Sequence, residues 1–211
     1  MTIKVLIVDD HTIVREGLKQ ILEDSPTITV AGEASTGQEA LTRIRGEHYD
    51  VVLLDISLED RSGLDILKQI KSYWPTLPVL ILTMHREDEY AIRSLRAGAA
   101  GYLTKKSAPT ELVAAIEKVA SGGKYVSASL AERLAFAVEP GRSGAPHESL
   151  TDREFQVFSL IVAGNRITDI AEQLCLSVKT VSSHRSRILE KMRMRTVTEL
   201  IRYAVENGLA K

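Results

Sequence analysis

Five short apolar runs, separated by longer segments of helical periodicity, occupy the first 121 residues of the chain. They predict strands at Ile3 to Val8, Thr27 to Glu33, Val51 to Leu54, Pro78 to Leu82 and Ala100 to Leu103. Between the runs, apolar residues recur every three or four positions, as in helices that cover a sheet. Because strands that alternate with helices fold as a parallel sheet with crossover helices, the pattern predicts an α/β domain with a doubly wound five-stranded sheet.

A change of composition marks the end of this domain. Residues 122–147 are predicted to be a linker, because the helical periodicity weakens and Gly, Pro and Ser become concentrated. A short helix over residues 127–138 is compatible with the sequence. Residues 148–211 show helical patterns throughout, and Thr151 followed by Glu154 matches a capping box at the start of the first helix. The second domain is therefore predicted to be all-α.

Charge and cysteine content narrow the class of protein. The net charge of −1 gives no overall attraction to nucleic acid or membranes, but residues 147–211 carry ten Lys or Arg and eight Asp or Glu, against a net charge of −3 for the rest of the chain. The single Cys175 rules out an internal disulfide. No apolar run approaches the roughly 20 residues that span a bilayer. The sequence therefore favours a cytoplasmic protein without a membrane partner.

Carboxylates follow two of the predicted strands. Asp9 and Asp10 come directly after the first strand, and Asp55 comes directly after the third. Because ligands bind outside the carboxyl ends of parallel strands, these three side chains are expected at one edge of the sheet. Such a cluster needs a cation, and oxygen ligands favour Mg²⁺. A bound Mg²⁺ would also neutralise a phosphoryl group in transfer, so that a carboxylate can act as a nucleophile.

Two further strand ends carry groups that suit this chemistry. Thr83 offers a hydroxyl after the fourth strand, and Lys105 offers a compact cation after the fifth. The motifs LIVDDH, VVLLDISL, ILTMH and AGAAGYLTK, in this order, resemble the phosphoacceptor receiver domain of bacterial response regulators over residues 1–121. The resemblance implies a flavodoxin-like fold with the strand order 2-1-3-4-5.

The resemblance also implies roles for the residues of the pocket. Asp55 would accept a phosphoryl group from a cognate sensor histidine kinase, Asp9 and Asp10 would hold Mg²⁺ together with Asp55, and Lys105 would contact the phosphoryl group. Thr83 and Tyr102 would form a two-state switch that responds to phosphorylation.

One departure from the receiver pattern concerns the loop after the fifth strand. Many receivers have Pro, often after a cis peptide, where this chain has Lys106. Because a cis peptide is costly without Pro, the resemblance does not decide whether the Lys105–Lys106 peptide is cis or trans. His11 and His85 lie beside the predicted pocket, where they are candidates for tuning dephosphorylation or simply surface residues of loops.

The second domain contains a predicted helix-turn-helix. Helices are predicted over Thr168 to Leu174 and Val178 to Met192, with Ser177 as the cap of the second. From Lys179 to Arg195 there are six basic residues and one acid, and a basic stripe on an exposed helix suits phosphate binding. The stretch from LTDREF to ILEKM resembles the LuxR-type helix-turn-helix of NarL/FixJ response regulators, over residues 148–211, so the two resemblances cover essentially the whole chain.

The second resemblance implies that residues 178–192 enter the major groove of double-stranded promoter DNA. Bases would be faced by Ser182, Ser183 and Ser186. The DNA backbone would be held by Lys179, Thr180, His184, Arg185, Arg187 and Lys191. Because Ser makes no bidentate pair with a base, specificity is expected to depend on water or DNA shape. The usual S-N-K-E-I-A reads R-I-T-D-I-A from Arg166, so the first helix of the motif lacks its usual Asn cap.

The last predicted helix, Val197 to Asn207, suggests how two copies meet. In the family this helix often forms the dimer contact on DNA, here through an apolar stripe of Leu200, Ile201, Ala204 and Val205. The same stripe is equally compatible with packing inside the domain.

The sequence thus predicts a transcription factor, not an enzyme, in which phosphorylation switches homodimerisation and DNA binding. Two other classes of protein are alternatives. A turnover phosphatase of the haloacid-dehalogenase kind pairs its acids as D-x-D, whereas this chain has adjacent Asp9 and Asp10. A phospho-dependent module that binds protein rather than DNA is the second alternative.

Overall fold

The computed structural model describes residues 2–58, 61–84, 88–127, 130–131 and 145–209, with the side chains of 88 and 89 excepted. The chain divides into two compact units, Met1–Phe136 and Ala137–Lys211. The predicted short helix over residues 127–138 falls largely outside the described residues, and His85 falls outside them entirely. None of the described helices is both long enough and apolar enough to cross a membrane.

The N-terminal unit alternates strands and helices in the predicted order. Its strands are β1 (Ile3–Val8), β2 (Ile28–Ala34), β3 (Val51–Asp55), β4 (Val79–Thr83) and β5 (Gly101–Thr104). Its helices are α1 (Thr12–Glu23), α2 (Gly37–Gly46), α3 (Gly63–Tyr73), α4 (Asp88–Arg96) and α5 (Ala108–Ala120). All strand pairs are parallel and the sheet order is β2-β1-β3-β4-β5, which confirms the predicted flavodoxin-like topology.

Burial on both faces explains why the central strands are continuous apolar runs. Every residue of β3 and β4 is buried, as are the last four residues of β1. Val5 and Ile7 of β1 belong to a core with α1 and α5, whereas Leu6 and Val8, which are also buried, must face the opposite side, because side chains alternate along a strand. Full burial of one such side chain stabilises the fold by about 1.5–3 kcal/mol. The polar residues at the strand ends are therefore carried on a rigid support.

The predicted strand ends differ from the observed ones by one residue at most. β3 extends to Asp55 and β4 to Thr83, because the hydrogen-bonded ladder continues one residue beyond the apolar run: Asp55 pairs with Leu82, and Thr83 pairs with Thr104. Two of the predicted site residues are thus the last residues of strands rather than the first residues of loops.

The segment after α5 returns to the edge of the sheet. Tyr125 forms a parallel bridge with Gly101, and its carbonyl accepts from the backbone N–H of Tyr102 at 3.0 Å. A Cβ atom at position 101 would lie 2.6 Å from the Tyr125 carbonyl oxygen, so this approach requires glycine. No described peptide bond is cis, and the Lys105–Lys106 peptide is accordingly trans.

The C-terminal unit is helical, as predicted. A 3₁₀ turn at Pro146–Ser149 precedes four helices, which are α6 (Asp152–Val162), α7 (Ile167–Gln173), α8 (Val178–Lys191) and α9 (Val197–Glu206). The capping box is present, because Thr151 Oγ1 accepts from the Glu154 backbone N–H and Glu154 Oε2 accepts from that of Thr151 at 2.8 Å. Ser177 caps α8 by accepting from the Thr180 N–H at 3.0 Å.

Helix α7 begins without the usual Asn. Its cap residue is Arg166, whose side chain has no acceptor atom to offer to the helix. Asp169 partly compensates, since its Oδ2 accepts from the Arg166 backbone N–H at 3.4 Å. The turn to α8 includes Cys175 in a left-handed conformation with φ of 50°.

Candidate functional site

A buried cluster of charges lies at the carboxyl ends of β1, β3 and β5. Lys105 Nζ is 2.6 Å from Asp9 Oδ2 and 2.7 Å from Asp55 Oδ2. The side chain of Lys105 is 8% exposed, and those of the two acids are 2% and 3% exposed, so water screens these contacts little. The sheet therefore brings together three residues that are separated by up to 96 positions in the sequence.

Asp10 completes the cluster beside Asp9. One carboxylate oxygen each of Asp9, Asp10 and Asp55, and one ring nitrogen of His11, lie within 4.8 Å of one another. His11 Nδ1 is 2.6 Å from Asp10 Oδ1, and Asp55 Oδ1 accepts from the Ser57 backbone N–H at 3.2 Å. The predicted convergence of three carboxylates is present in the geometry, with a histidine ring added.

Burial and neighbouring charges shift the pKa values in the pocket. Burial raises the pKa of Asp55 above its ordinary value; the charge of Lys105 offsets part of this rise, and the nearby Asp9 adds to it. Burial alone would lower the pKa of Lys105. The carboxylates of Asp55 and Asp9 raise it by more than burial lowers it, so the pKa of Lys105 lies above its ordinary value. Lys105 is therefore a permanent cation at neutral pH.

The charge balance of the pocket fits a divalent cation. Three carboxyl groups surround one ammonium group, so the acids outnumber the cation in a space that is largely buried. An oxygen-rich donor set of this kind suits a hard ion such as Mg²⁺, which binds through one or two carboxylates and keeps some of its waters. The cluster of Asp9, Asp10 and Asp55 thus has the donors and the charge for such an ion.

Thr83 and Tyr102 lie on the two strands next to the pocket. Thr83 is fully buried at the end of β4, and its carbonyl accepts from the Lys105 backbone N–H at 2.7 Å. Tyr102 is 5% exposed on β5, where it is paired with Ile81. The backbone thereby links Thr83 directly to the lysine of the pocket.

Two contacts that hold the pocket were not anticipated from the sequence. Arg15 on α1 donates from Nη1 to the backbone carbonyl of Asp9 at 2.7 Å. Gly63, at the start of α3, lies so close to the backbone of Asp55 that a Cβ atom there would overlap the Asp55 carbonyl oxygen. The sequence contains one signal for the contact of Gly63: a glycine at the start of a helix, soon after a buried acid, permits a close approach of the two backbones.

Helix α8 separates its side chains between the core and solvent. Val181, Ile188 and Met192 are at most 3% exposed. On the outer side, Lys179, Ser183, Ser186 and Arg187 are exposed, and Ser182 and Thr180 are partly exposed. The stripe expected to face DNA is thus accessible.

The exposed serines of α8 are already engaged as donors. Ser183 Oγ donates to the Lys179 carbonyl at 3.0 Å, and Ser186 Oγ donates to the Ser182 carbonyl at 3.1 Å. Because each hydroxyl has one proton and two lone pairs, both serines present acceptor capacity to the outside in this arrangement.

Three of the predicted backbone contacts are less free than the sequence implied. Lys191 Nζ is 2.6 Å from Glu154 Oε2. Burial lowers the pKa of His184, and the nearby Arg153 lowers it further, so the ring is mainly neutral at neutral pH. Arg185 is partly buried, and its Nε has no hydrogen-bond partner among the described residues. Among these positions, Lys179 and Arg187 are exposed cations without a salt bridge to another described residue.

The apolar stripe of α9 is divided between two environments. Leu200 and Ala204 are fully buried inside the C-terminal unit, where α9 packs against α6. Ile201 is 38% exposed and Val205 is 63% exposed. Only the latter pair offers apolar surface to another molecule.

The fold and the pocket define a receiver domain, and the second unit defines a helix-turn-helix domain. Residues 5–117 match the response regulator receiver domain family, and residues 148–204 match the luxR family of bacterial regulatory proteins. The chain belongs to the response regulators of the NarL/FixJ kind. It is a DNA-binding two-component response regulator rather than an enzyme.

Similar proteins span both domains. The response regulator UvrY of Escherichia coli (strain K12) is 40% identical over 208 residues, which are 98% of this chain and 95% of that protein. The response regulator GacA of Pseudomonas aeruginosa is 37% identical over 98% of this chain and 97% of its own. A solved structure of RcsB from Salmonella enterica serovar Typhimurium, bound to promoter rprA in the presence of phosphomimetic BeF3-, is 26% identical with a TM-score of 0.64, covering 96% of this chain and 98% of that one.

Proposed function

We propose that a sensor histidine kinase phosphorylates Asp55, and that this modification switches homodimerisation and sequence-specific binding to promoter DNA in the cytoplasm. The observation that carries the proposal is the contact of Asp55 with Lys105 inside a cluster of buried acids. A carboxylate held in this way is poised for phosphoryl transfer and shielded from water.

In the transfer step, an oxygen of Asp55 attacks the phosphorus atom carried by the kinase. The new bond between oxygen and phosphorus forms as the bond between phosphorus and the histidine nitrogen breaks. Asp9, Asp10 and Asp55 would hold Mg²⁺, which when bound supplies the positive charge that the pocket lacks. Lys105, already 2.7 Å from Asp55 Oδ2, would follow the phosphoryl oxygens as their counter-ion.

The switch would begin at the added charge on Asp55. The phosphoryl group carries about −2 charges in place of the single charge of the carboxylate, and its strong acceptor oxygens attract the hydroxyl of Thr83. Thr83 and Lys105 share a backbone hydrogen bond, so a shift of one strand end moves the other. Tyr102, two residues into β5, would change its packing as this happens, which is the two-state element of the proposal.

DNA binding would involve α8, and homodimerisation would involve α9. The exposed face of α8 would enter the major groove, where Lys179 and Arg187 neutralise phosphates and the serines accept hydrogen bonds from bases. Two protomers would meet through Ile201 and Val205, while Leu200 and Ala204 anchor α9 to its own domain.

The phosphoacceptor is tested by phosphorylation of wild type, Asp55→Asn and the control Asp24→Asn, which changes an exposed acid. We expect one stoichiometric, acid-stable phosphoryl group in wild type and the control, and none in Asp55→Asn. Undiminished labelling of Asp55→Asn would reject the proposal, and continued release of phosphate from excess substrate would favour a phosphatase.

The DNA-binding output is tested by mapping bound sites across the genome with and without a phosphoryl mimic. We expect discrete sites whose occupancy rises with the mimic. The absence of sites in both states, or an intact cellular output from the triple variant with Ala at positions 179, 185 and 187, would favour a module that binds protein instead.

A further inference from the structure

We propose that His11 is a fourth protein ligand of the metal ion, and that its imidazole makes the site prefer Ni²⁺ to Mg²⁺. The inference rests on the proposed function, which puts a divalent ion at Asp9, Asp10 and Asp55. It concerns which ion the site selects, and it identifies His11 rather than a further oxygen as the group responsible.

The position of the imidazole suits a shared ion. His11 Nδ1 is 2.6 Å from Asp10 Oδ1 and 3.5 Å from Asp9 Oδ1. Neighbouring ligand atoms on one octahedral ion, each about 2.1 Å from it, are separated by about 3 Å. The two distances lie on either side of this value, so small side-chain rotations suffice for the three atoms to share an ion.

The backbone of His11 is held beside the acids of the cluster. His11 precedes α1 in an extended conformation, and its N–H donates to Asp9 Oδ1 at 2.9 Å. Its side chain makes no capping hydrogen bond to α1, and both of its ion-pair contacts among the described residues are with the cluster. The side chain is 67% exposed, so it is able to bind an ion without disturbing the core.

Nitrogen ligation has a selective consequence. Imidazole suits Ni²⁺ and other late transition metals, whereas Mg²⁺ prefers oxygen and retains its waters. A histidine ligand should therefore strengthen binding of Ni²⁺ much more than binding of Mg²⁺. If His11 only orients Asp10 through a hydrogen bond, its removal should weaken both ions by the same factor.

The test compares full-length wild type with His11→Ala, Asp10→Asn and His48→Ala. His48 is a matched control, since its exposed ring also contacts an acid, Asp50, at 3.2 Å, but far from the cluster. Affinities for Mg²⁺ and Ni²⁺ are measured by calorimetry, and pulsed electron paramagnetic resonance of bound Mn²⁺ reports nitrogen ligation directly. Circular dichroism establishes that each variant is folded.

We expect a nitrogen coupling to Mn²⁺ in wild type and His48→Ala that disappears in His11→Ala, together with a fall of about tenfold or more in Ni²⁺ affinity relative to Mg²⁺ affinity. Absence of the coupling in wild type, its persistence in His11→Ala, or an equal loss for both ions would overturn the inference. If His11→Ala behaves as wild type while Asp10→Asn loses the ion, the proposed function stands without it. If neither variant changes binding, the metal site itself is wrong.

Discussion

Lys191 Nζ lies 2.6 Å from Glu154 Oε2, and the same oxygen accepts from the Thr151 backbone N–H at 2.8 Å. One carboxylate thus caps α6 and holds the C-terminal end of α8. The Glu154 side chain is 4% exposed, so the pair is more than a surface contact. This carboxylate is therefore one of the contacts that join α8 to α6.

Replacing Glu154 with Gln should loosen α8 while leaving the helix start capped. Gln can still accept from the Thr151 N–H but has no charge for Lys191, and because that lysine is partly exposed we expect a loss of about 1 kcal/mol. Amide hydrogen exchange of α6 and α8 measures the loss. Glu206→Gln is the control, since its 3.9 Å contact with Arg202 is solvent-exposed and should contribute nothing measurable. Equal protection in both variants would contradict a structural role for the pair.

The same carboxylate should make the C-terminal unit sensitive to acid. Burial alone would raise the pKa of Glu154. The hydrogen bonds from Lys191 and from the Thr151 N–H outweigh burial, so the pKa of Glu154 lies below its ordinary value. An acid whose pKa is depressed by folding stabilises the fold above its unfolded pKa, and this contribution is lost as pH falls through the folded value. We therefore expect α6 and α8 to lose protection below about pH 4.5 in wild type, and a weaker pH dependence in Glu154→Gln. Identical profiles would refute the assignment.

The basic residues of α8 should differ in their contribution to DNA binding. Lys179→Ala and Arg187→Ala each remove an exposed cation, so each should reduce the slope of log K against log salt by about 1. Lys191→Met should change the slope less, because Glu154 already neutralises Lys191. The slopes are obtained from binding titrations on one promoter fragment between low and physiological salt. A slope change for Lys191→Met as large as for Lys179→Ala would show that the ion pair opens on DNA.

Apolar periodicity was sufficient to predict the sheet and the four helices of the second domain, because an element that is buried on one or both faces has apolar residues at regular spacing. The periodicity did not predict contacts between a single pair of residues that are far apart in the sequence. The bridge between Gly101 and Tyr125 involves one residue pair without a repeat. The ion pair of Glu154 and Lys191 joins positions 37 apart in the sequence. Neither leaves a local signal.

The candidate pocket was predictable for a related reason. Parallel strands end at the same edge, so acids at the ends of β1 and β3 had to converge. The sequence placed His11 beside the pocket, but it did not predict the contact of its ring with Asp10, because that contact depends on the direction of one exposed side chain. Periodicity also identified the stripe of α9 without saying how much of it the domain itself buries.

Asp10→Asn should prevent phosphorylation of Asp55 without unfolding the protein. The Asp10 side chain is 7% exposed, and its partner among the described residues is the exposed ring of His11, so the amide should fit without loss of core packing. It removes one of the charges that would hold the divalent ion. Phosphoryl incorporation is measured beside the control Asp24→Asn, with circular dichroism as the measure of folding. Undiminished incorporation in a folded Asp10→Asn protein would count against the metal site.

The two halves of the α9 stripe should separate dimerisation from stability. Val205→Glu places a charge on a side chain that is 63% exposed, so it should leave the fold intact and weaken both self-association of the phosphorylated protein and binding to a two-half-site promoter. Leu200→Ala removes a fully buried side chain and should destabilise the C-terminal unit by about 2–5 kcal/mol. Analytical ultracentrifugation and hydrogen exchange distinguish the two effects. If Val205→Glu dimerises and binds DNA as wild type does, α9 serves packing alone and the dimer contact lies elsewhere.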